Sequence, residues 1–218
     1  MKQVICVHTA MALVGPLTEL FAKLLPEVNV NHIADSSLIK EVIASGGVTP
    51  AVRRRLLAYY NAAADAGADV VLNTCSSVGD VADYGNQYAR IPVCRIDRPM
   101  AAEAVMECSR IGVISTLPTT LDPTCRLLRS EAEKAGRDVV LVEGLADGAF
   151  AAGQSGDRDT HDRLIAEAAV RICANVDMLV LAQGSMACME ERLFRLTGLP
   201  VLSSPVLGIK ALRKPLGL

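Results

Sequence analysis

Short apolar runs that stop abruptly at small polar residues recur along this 218-residue chain, each followed by a segment with helical spacing. Two of them are so alike that they set the fold. Asp69-Val70-Val71-Leu72-Asn73-Thr74-Cys75 follows the helix expected from Thr49-Pro50 to Gly67, and Asp177-Met178-Leu179-Val180-Leu181-Ala182-Gln183-Gly184-Ser185 follows an Ala-rich helix. Ile91-Pro92-Val93 and Leu199-Pro200-Val201 repeat 108 residues apart, and the strands ending at Val7 and Ile114 match at about that offset. Cys75 and Ser185, 110 residues apart, are expected to fall in equivalent turns. A strand-helix alternation of this kind implies α/β architecture with parallel sheet. Its duplication implies two similar lobes related by a pseudo-twofold, with both strand-end turns on one interlobe cleft. The expected division is residues 1–97, residues 98–204, and a C-terminal helix over 205–218 that packs back on the first lobe.

Within that frame the strands are expected at Gln3–Val7, Val28–Ile33, Val70–Asn73, Ile91–Ile96, Arg110–Ile114, Asp138–Val142, Met178–Ala182 and Pro200–Leu202. Helices are expected between them, with Pro123 opening the one that ends near Ala135. Gly144–Asp159, with Gly148, Gly153 and Gly156, reads as a mobile loop or lid. Met1-Lys2 precedes an apolar run, but His8 interrupts it after four apolar residues, so the segment reads as the first strand and not as a leader. No apolar run reaches the length of a membrane span.

Charge and composition exclude several classes of function. A net charge of -2, 3% aromatic residues and no Trp leave neither a basic stripe nor stacking platforms for nucleic acid. The seven cysteines include no CxxC pair and are odd in number, which argues against a disulfide framework and a zinc motif and for reduced thiols in a cytoplasmic setting. There is no GxGxxG after a strand, no GxxxxGK[ST], and no Lys in an apolar strand-end turn. No cofactor and no metal are therefore expected. What remains at the strand ends is hydroxyls, amides, backbone N–H groups and one thiol, a set suited to a small carboxylate or carbonyl compound whose enolate is stabilised by fixed dipoles.

Cys75 carries the chemistry in this reading. A thiol at a strand end and helix start is expected to have its pKa lowered toward neutrality, where it can exchange protons. A free cysteine there also reads as a small buried hydrophobe. His8 ends the first strand and could line the cleft or be structural; His161 reads as surface or lid. Arg95, Asp97 and Arg98 could meet a substrate carboxylate or form an interlobe salt bridge.

The stretches Asn73-Thr74-Cys75-Ser76-Ser77, Ser115-Thr116 with Thr119-Thr120, and Gln183-Gly184-Ser185-Met186 resemble the aspartate/glutamate racemase superfamily, particularly its hydantoin and allantoin racemase branch. The resemblance spans essentially the whole chain. It implies two lobes, no cofactor, and two cysteines that remove and return a proton on opposite faces of a stereocentre. By that resemblance Cys75 is one acid/base thiol, with Asn73, Thr74 and Ser76 beside it as carboxylate or carbonyl binders. Thr116 and Thr119 are their counterparts in the other lobe. His8, Thr9, Ser115, Gln183, Gly184 and Met186 complete the expected substrate-binding set. Ser185 stands where a second catalytic cysteine is expected, and a hydroxyl is too weak an acid to replace it; Cys188 lies three residues on. Three functions stay open: a racemase, a one-base decarboxylase, lyase or tautomerase like arylmalonate decarboxylase, and a two-lobed small-molecule binding protein. A homo-oligomer is expected from the family.

Overall fold

The computed structural model describes all of residues 1–218. The chain divides into two compact units, Met1–Asp97 together with Pro205–Leu218, and Arg98–Ser204. In the first unit, strands β1 (Lys2–His8), β2 (Val28–Ala34), β3 (Val70–Asn73) and β4 (Val93–Arg95) form a parallel sheet ordered β2-β1-β3-β4. In the second, β5 (Arg110–Ser115), β6 (Val140–Leu145), β7 (Met178–Leu181) and β8 (Val201–Ser203) form one ordered β6-β5-β7-β8.

The first sheet is covered on both faces, which is why its inner strands carry continuous apolar runs, residues 4–7 and 70–72, while the edge strand β2 alternates. Ile5, Val7 and Val71 point to one side, against Leu38 and Val42 of α2 (Ser36–Ser45), Val52, Leu56 and Tyr60 of α3 (Pro50–Asp65), and Val81 of α4 (Gly79–Tyr88). Val4, Cys6, Val70 and Leu72 point to the other, against Leu17 and Phe21 of α1 (Val14–Leu24). The C-terminal segment joins this second layer. Ile209 of α10 (Ser204–Ala211), Leu212, and Leu216 of α11 (Arg213–Leu216) are buried there. Gly208 permits the approach, because a Cβ at that position would lie 2.5 Å from the Ile96 carbonyl oxygen.

The second unit repeats the pattern with α5 (Arg98–Glu107), α6 (Pro118–Ala135), α7 (Ala149–Ser155), α8 (Arg158–Ile172) and α9 (Glu190–Thr197). Ile114, Leu179 and Leu181 pack on Ile165, Ala169, Ile172 and Leu193. Equivalent hydrogen bonds mark the duplication. Asp69 N–H donates to the Gln3 carbonyl at 2.8 Å, and Asp177 N–H to the Arg110 carbonyl at 2.8 Å. The Val71 N–H donates to the Pro92 carbonyl as the Leu179 N–H does to the Pro200 carbonyl, each at 2.9 Å.

Three expectations are corrected. Gly144–Asp159 is not a loop: it holds the end of β6, all of α7 and the start of α8. Two of its glycines are caps, Gly148 at φ 81 before α7 and Gly156 at φ 85 after it, a left-handed backbone that glycine adopts without a Cβ penalty. His161 is 6% exposed, with Nδ1 2.8 Å from Asp162 Oδ1, so it belongs to the interior of the second unit. Helix α6 starts at Pro118 rather than Pro123, which sits inside it. No helix is long and apolar enough to cross a membrane.

Candidate functional site

Both sheets end their third strand in the same backbone shape. After β3 the chain passes Thr74 and Cys75 into a 3-10 turn, Ser76–Val78; after β7 it passes Ala182 and Gln183 into another, Gly184–Met189. Cys75 caps the first turn at φ -121, ψ 117, and Gln183 caps the second at φ -126, ψ 129. The preceding residues agree as well, since Thr74 N–H donates to the Val7 carbonyl at 3.1 Å and Ala182 N–H to the Ile114 carbonyl at 2.9 Å. The structural counterpart of Cys75 is therefore Gln183. Ser185 corresponds to Ser77 and is exposed, so the expected pairing of Cys75 with Ser185 is corrected by two residues. The cause is simple: no residue is inserted between strand and turn in the second unit. Cys188 is exposed, one 3-10 turn beyond Ser185, and does not occupy the Cys75 position either.

In the first unit the residues around Cys75 hold the turn. The Asn73 side chain donates from Nδ2 to the Cys75 carbonyl at 3.0 Å and accepts from the Tyr60 hydroxyl at 3.1 Å, with 1% of the residue exposed. Its amide is thereby committed to shaping the turn. The Thr74 hydroxyl lies 3.1 Å from the Val7 carbonyl and 3.0 Å from His8 Nδ1. His8 Nε2 lies 2.8 Å from His32 Nδ1, so both ring nitrogens of His8 are engaged within the protein. Ser76 hydrogen-bonds Asp97, whose carboxylate is gripped by Arg95 through Nε and Nη2, each at 2.9 Å. Arg95 also reaches Asp83 at 2.8 Å. Arg95 and Asp97 are thus spent inside the first unit, while Arg98 pairs with Glu131 inside the second. Gly79 makes room for the guanidinium, since a Cβ there would lie 2.3 Å from it.

The thiol is left with three kinds of donor: the Thr9 hydroxyl, the Ser77 N–H and hydroxyl, and the Val78 N–H. Burial nevertheless dominates and raises the Cys75 pKa, with those donors offsetting it in part. The expected lowering toward neutrality is corrected: a turn of three residues has little dipole to set against desolvation. Alkylation with iodoacetamide at neutral pH should accordingly modify exposed Cys188 ahead of Cys75. The Cys75 rate should still be climbing at pH values where an ordinary thiol has levelled off; peptide mapping over a pH series measures both.

In the second unit the same positions hold an amide. The Thr116 N–H donates to Gln183 Oε1 at 2.7 Å, and Gln183 Nε2 donates to Thr116 Oγ1 at 2.7 Å. Ser115 Oγ lies 2.9 Å from the Leu117 carbonyl and 3.3 Å from Gln183 Oε1. Thr9 beside Cys75 and Thr116 beside Gln183 are thus corresponding hydroxyls at the ends of β1 and β5. Thr119, in the first turn of α6, has a buried hydroxyl oxygen with no partner. Gly184 opens the second turn, half-buried, and the Met186 side chain is fully buried in the core of the second unit. Sequence reasoning missed Tyr60 and the Arg95–Asp97 clamp on Ser76; counting six residues on from Asp69 and Asp177 finds the Cys75–Gln183 equivalence.

The model of the Asp/Glu/Hydantoin racemase family matches residues 4–212. Among solved structures, allantoin racemase from Klebsiella pneumoniae superposes with a TM-score of 0.74 at 17% identity, covering 100% of this chain and 89% of that one. Glutamate racemase from Francisella tularensis gives 0.78 at 13% identity, covering 99% and 81%. Unliganded arylmalonate decarboxylase gives 0.57 at 16% identity, covering 100% and 93%. At these identities the likeness establishes the fold. A search of the curated proteins by sequence found no match. With a family match over nearly its whole length and two parallel sheets of like order, the chain belongs to the Asp/Glu/Hydantoin racemase family.

Proposed function

We propose that this protein is a cofactor-independent enzyme that moves a proton at the carbon beside a carboxylate or carbonyl of a small substrate, an amino acid, a hydantoin or a related acid. Cys75 is the proton carrier. The observation that carries this reading is the surround of its sulfur: a hydroxyl from Thr9 and the N–H groups of Ser77 and Val78 serve the thiolate that proton donation leaves behind. Its raised pKa makes the thiol the main resting form at neutral pH, ready to donate a proton, and the minor thiolate held by the same donors is the form that removes the α-proton in exchange.

A second reading is favoured by Gln183. Racemisation by two titrating groups needs a base and an acid, and a carboxamide is neither; it donates and accepts hydrogen bonds only. In a racemase-family protein with one thiol and one amide at equivalent turns, chemistry on a single face is the natural outcome: protonation of an enolate as a decarboxylase, lyase or tautomerase performs it. The fold likeness to arylmalonate decarboxylase is compatible with that reading as the likeness to the racemases is with the first.

The test is proton NMR in deuterium oxide with both enantiomers of a panel of α-amino acids and 5-substituted hydantoins. Enzyme-dependent loss of the α-proton signal from at least one member is the expected result. Binding without exchange across the panel would favour a protein that holds small molecules without turnover.

A further inference from the structure

Beside the first turn lies a group of side chains that the proposed reaction does not use. Cys6 and His32 are register partners in β1 and β2, and His8 lies two residues beyond Cys6. The ligand atoms of Cys6, His8 and His32 all lie within 4.8 Å of one another. The two imidazoles meet through His8 Nε2 and His32 Nδ1 at 2.8 Å, and each outer nitrogen meets a threonine hydroxyl. His8 Nδ1 is 3.0 Å from Thr74 Oγ1, and His32 Nε2 is 2.9 Å from Thr18 Oγ1.

Each of these hydroxyls also has a backbone carbonyl for its own proton, Val7 for Thr74 at 3.1 Å and Val14 for Thr18 at 2.8 Å. When the hydroxyls donate there, they accept from the imidazoles, so both outer nitrogens carry N–H and both inner nitrogens present lone pairs. In that tautomer both inner lone pairs face one point, where a cation can sit between them. We propose that Cys6, His8 and His32 form a binding site for a single thiophilic cation of the zinc type, with Thr74 and Thr18 orienting the two imidazoles from behind.

The chemistry of the donors agrees. One thiolate with two imidazoles suits zinc-type ions, and an outer N–H held by an oxygen acceptor is the arrangement that fixes a metal-binding histidine. On binding, the Cys6 S–H bond breaks, its proton passes to water, and the sulfur bonds the metal. Tetrahedral ligation with metal–nitrogen bonds of about 2.0–2.1 Å sets the inner nitrogens roughly 3.3 Å apart. They must part by about half an ångström, and His32, the least buried of the three, is the ring that can move. Three protein ligands leave a fourth position for water.

The experiment is Co2+ titration of the untagged chain, followed by optical absorption, with displacement by Zn2+. One equivalent of Co2+ should raise a sulfur-to-cobalt charge-transfer band that Zn2+ abolishes. Cys6→Ala should lose the band, and His32→Gln, a change at a half-exposed position, should weaken binding at least tenfold. Cys188→Ser should behave as the wild type. Absence of the band in the wild type, or its survival with unchanged affinity in His32→Gln, would overturn the proposal, whether or not Cys6→Ala folds.

Discussion

Replacing Cys75 with Ser is expected to lower enzyme-dependent deuterium exchange by about 10²–10⁴-fold, the usual contribution of a positioned acid or base. The substitution keeps the shape of the turn, because what holds the turn is the Asn73 amide on the Cys75 carbonyl and the Tyr60 hydroxyl behind it. It removes the one thiol at the Cys75 and Gln183 positions, the group there that can both give a proton and rest as an anion. A serine hydroxyl accepts the same hydrogen bonds from Thr9, Ser77 and Val78 but ionises far above any working pH. Unfolding midpoints within about 1 kcal/mol of wild type, measured alongside, would separate lost chemistry from lost structure. Retention of more than a tenth of the exchange rate would take the proton-transfer role away from Cys75.

Arg95→Met is expected to destabilise the protein by about 3–5 kcal/mol, because it leaves a carboxylate buried without its counter-charge. Asp97 is 1% exposed and Arg95 4%. Burial alone would raise the Asp97 pKa, but the charge and hydrogen bonds of Arg95 and the Ser76 hydroxyl more than offset it and bring the pKa below its ordinary value. A carboxyl with a depressed folded-state pKa stabilises the fold above its unfolded pKa of about 3.9 and loses that contribution as pH falls through the folded value. The cost of Arg95→Met should therefore shrink in acid. Adding Asp97→Leu to Arg95→Met should recover part of the loss, since it is the stranded charge that is expensive. Urea unfolding of the two variants and the wild type reads this directly, and a cost below about 1 kcal/mol for Arg95→Met would show that the pair is not a structural clamp on the Ser76 turn.

The strands were legible in the chain because a sheet covered on both faces demands continuous apolar runs, and Val70–Asn73 and Met178–Leu181 are such runs in nearly pure form. Glycine and proline were less legible because each has more than one use. Gly148 and Gly156 cap helices rather than making a loop, and Pro123 lies within α6 while Pro118 opens it. At the site, side-chain chemistry and backbone register pointed to different residues. Ser185 is the cysteine-like residue at the start of the second turn, but the register, carried by strand pairing and turn hydrogen bonds, puts Gln183 at the Cys75 position. The His8–His32 contact was beyond local reading, since it arises from the pairing of β1 with β2 across 24 residues. The upward shift of the Cys75 pKa depends on burial, which a strand-end motif does not reveal.

A thiol, Cys75, and an amide, Gln183, occupy equivalent turns of this duplicated racemase-family chain. Parallel deuterium-exchange rates for the two enantiomers of one substrate, in the wild type and in Gln183→Cys, test this asymmetry most directly. In the wild type, exchange in one enantiomer should exceed that in the other by at least tenfold, and the gap should narrow in Gln183→Cys as a second thiol begins to titrate. Equal exchange of both enantiomers by the wild type would rule this asymmetry out, because a proton carrier other than Gln183, such as Cys188 further along the second turn, would then be acting.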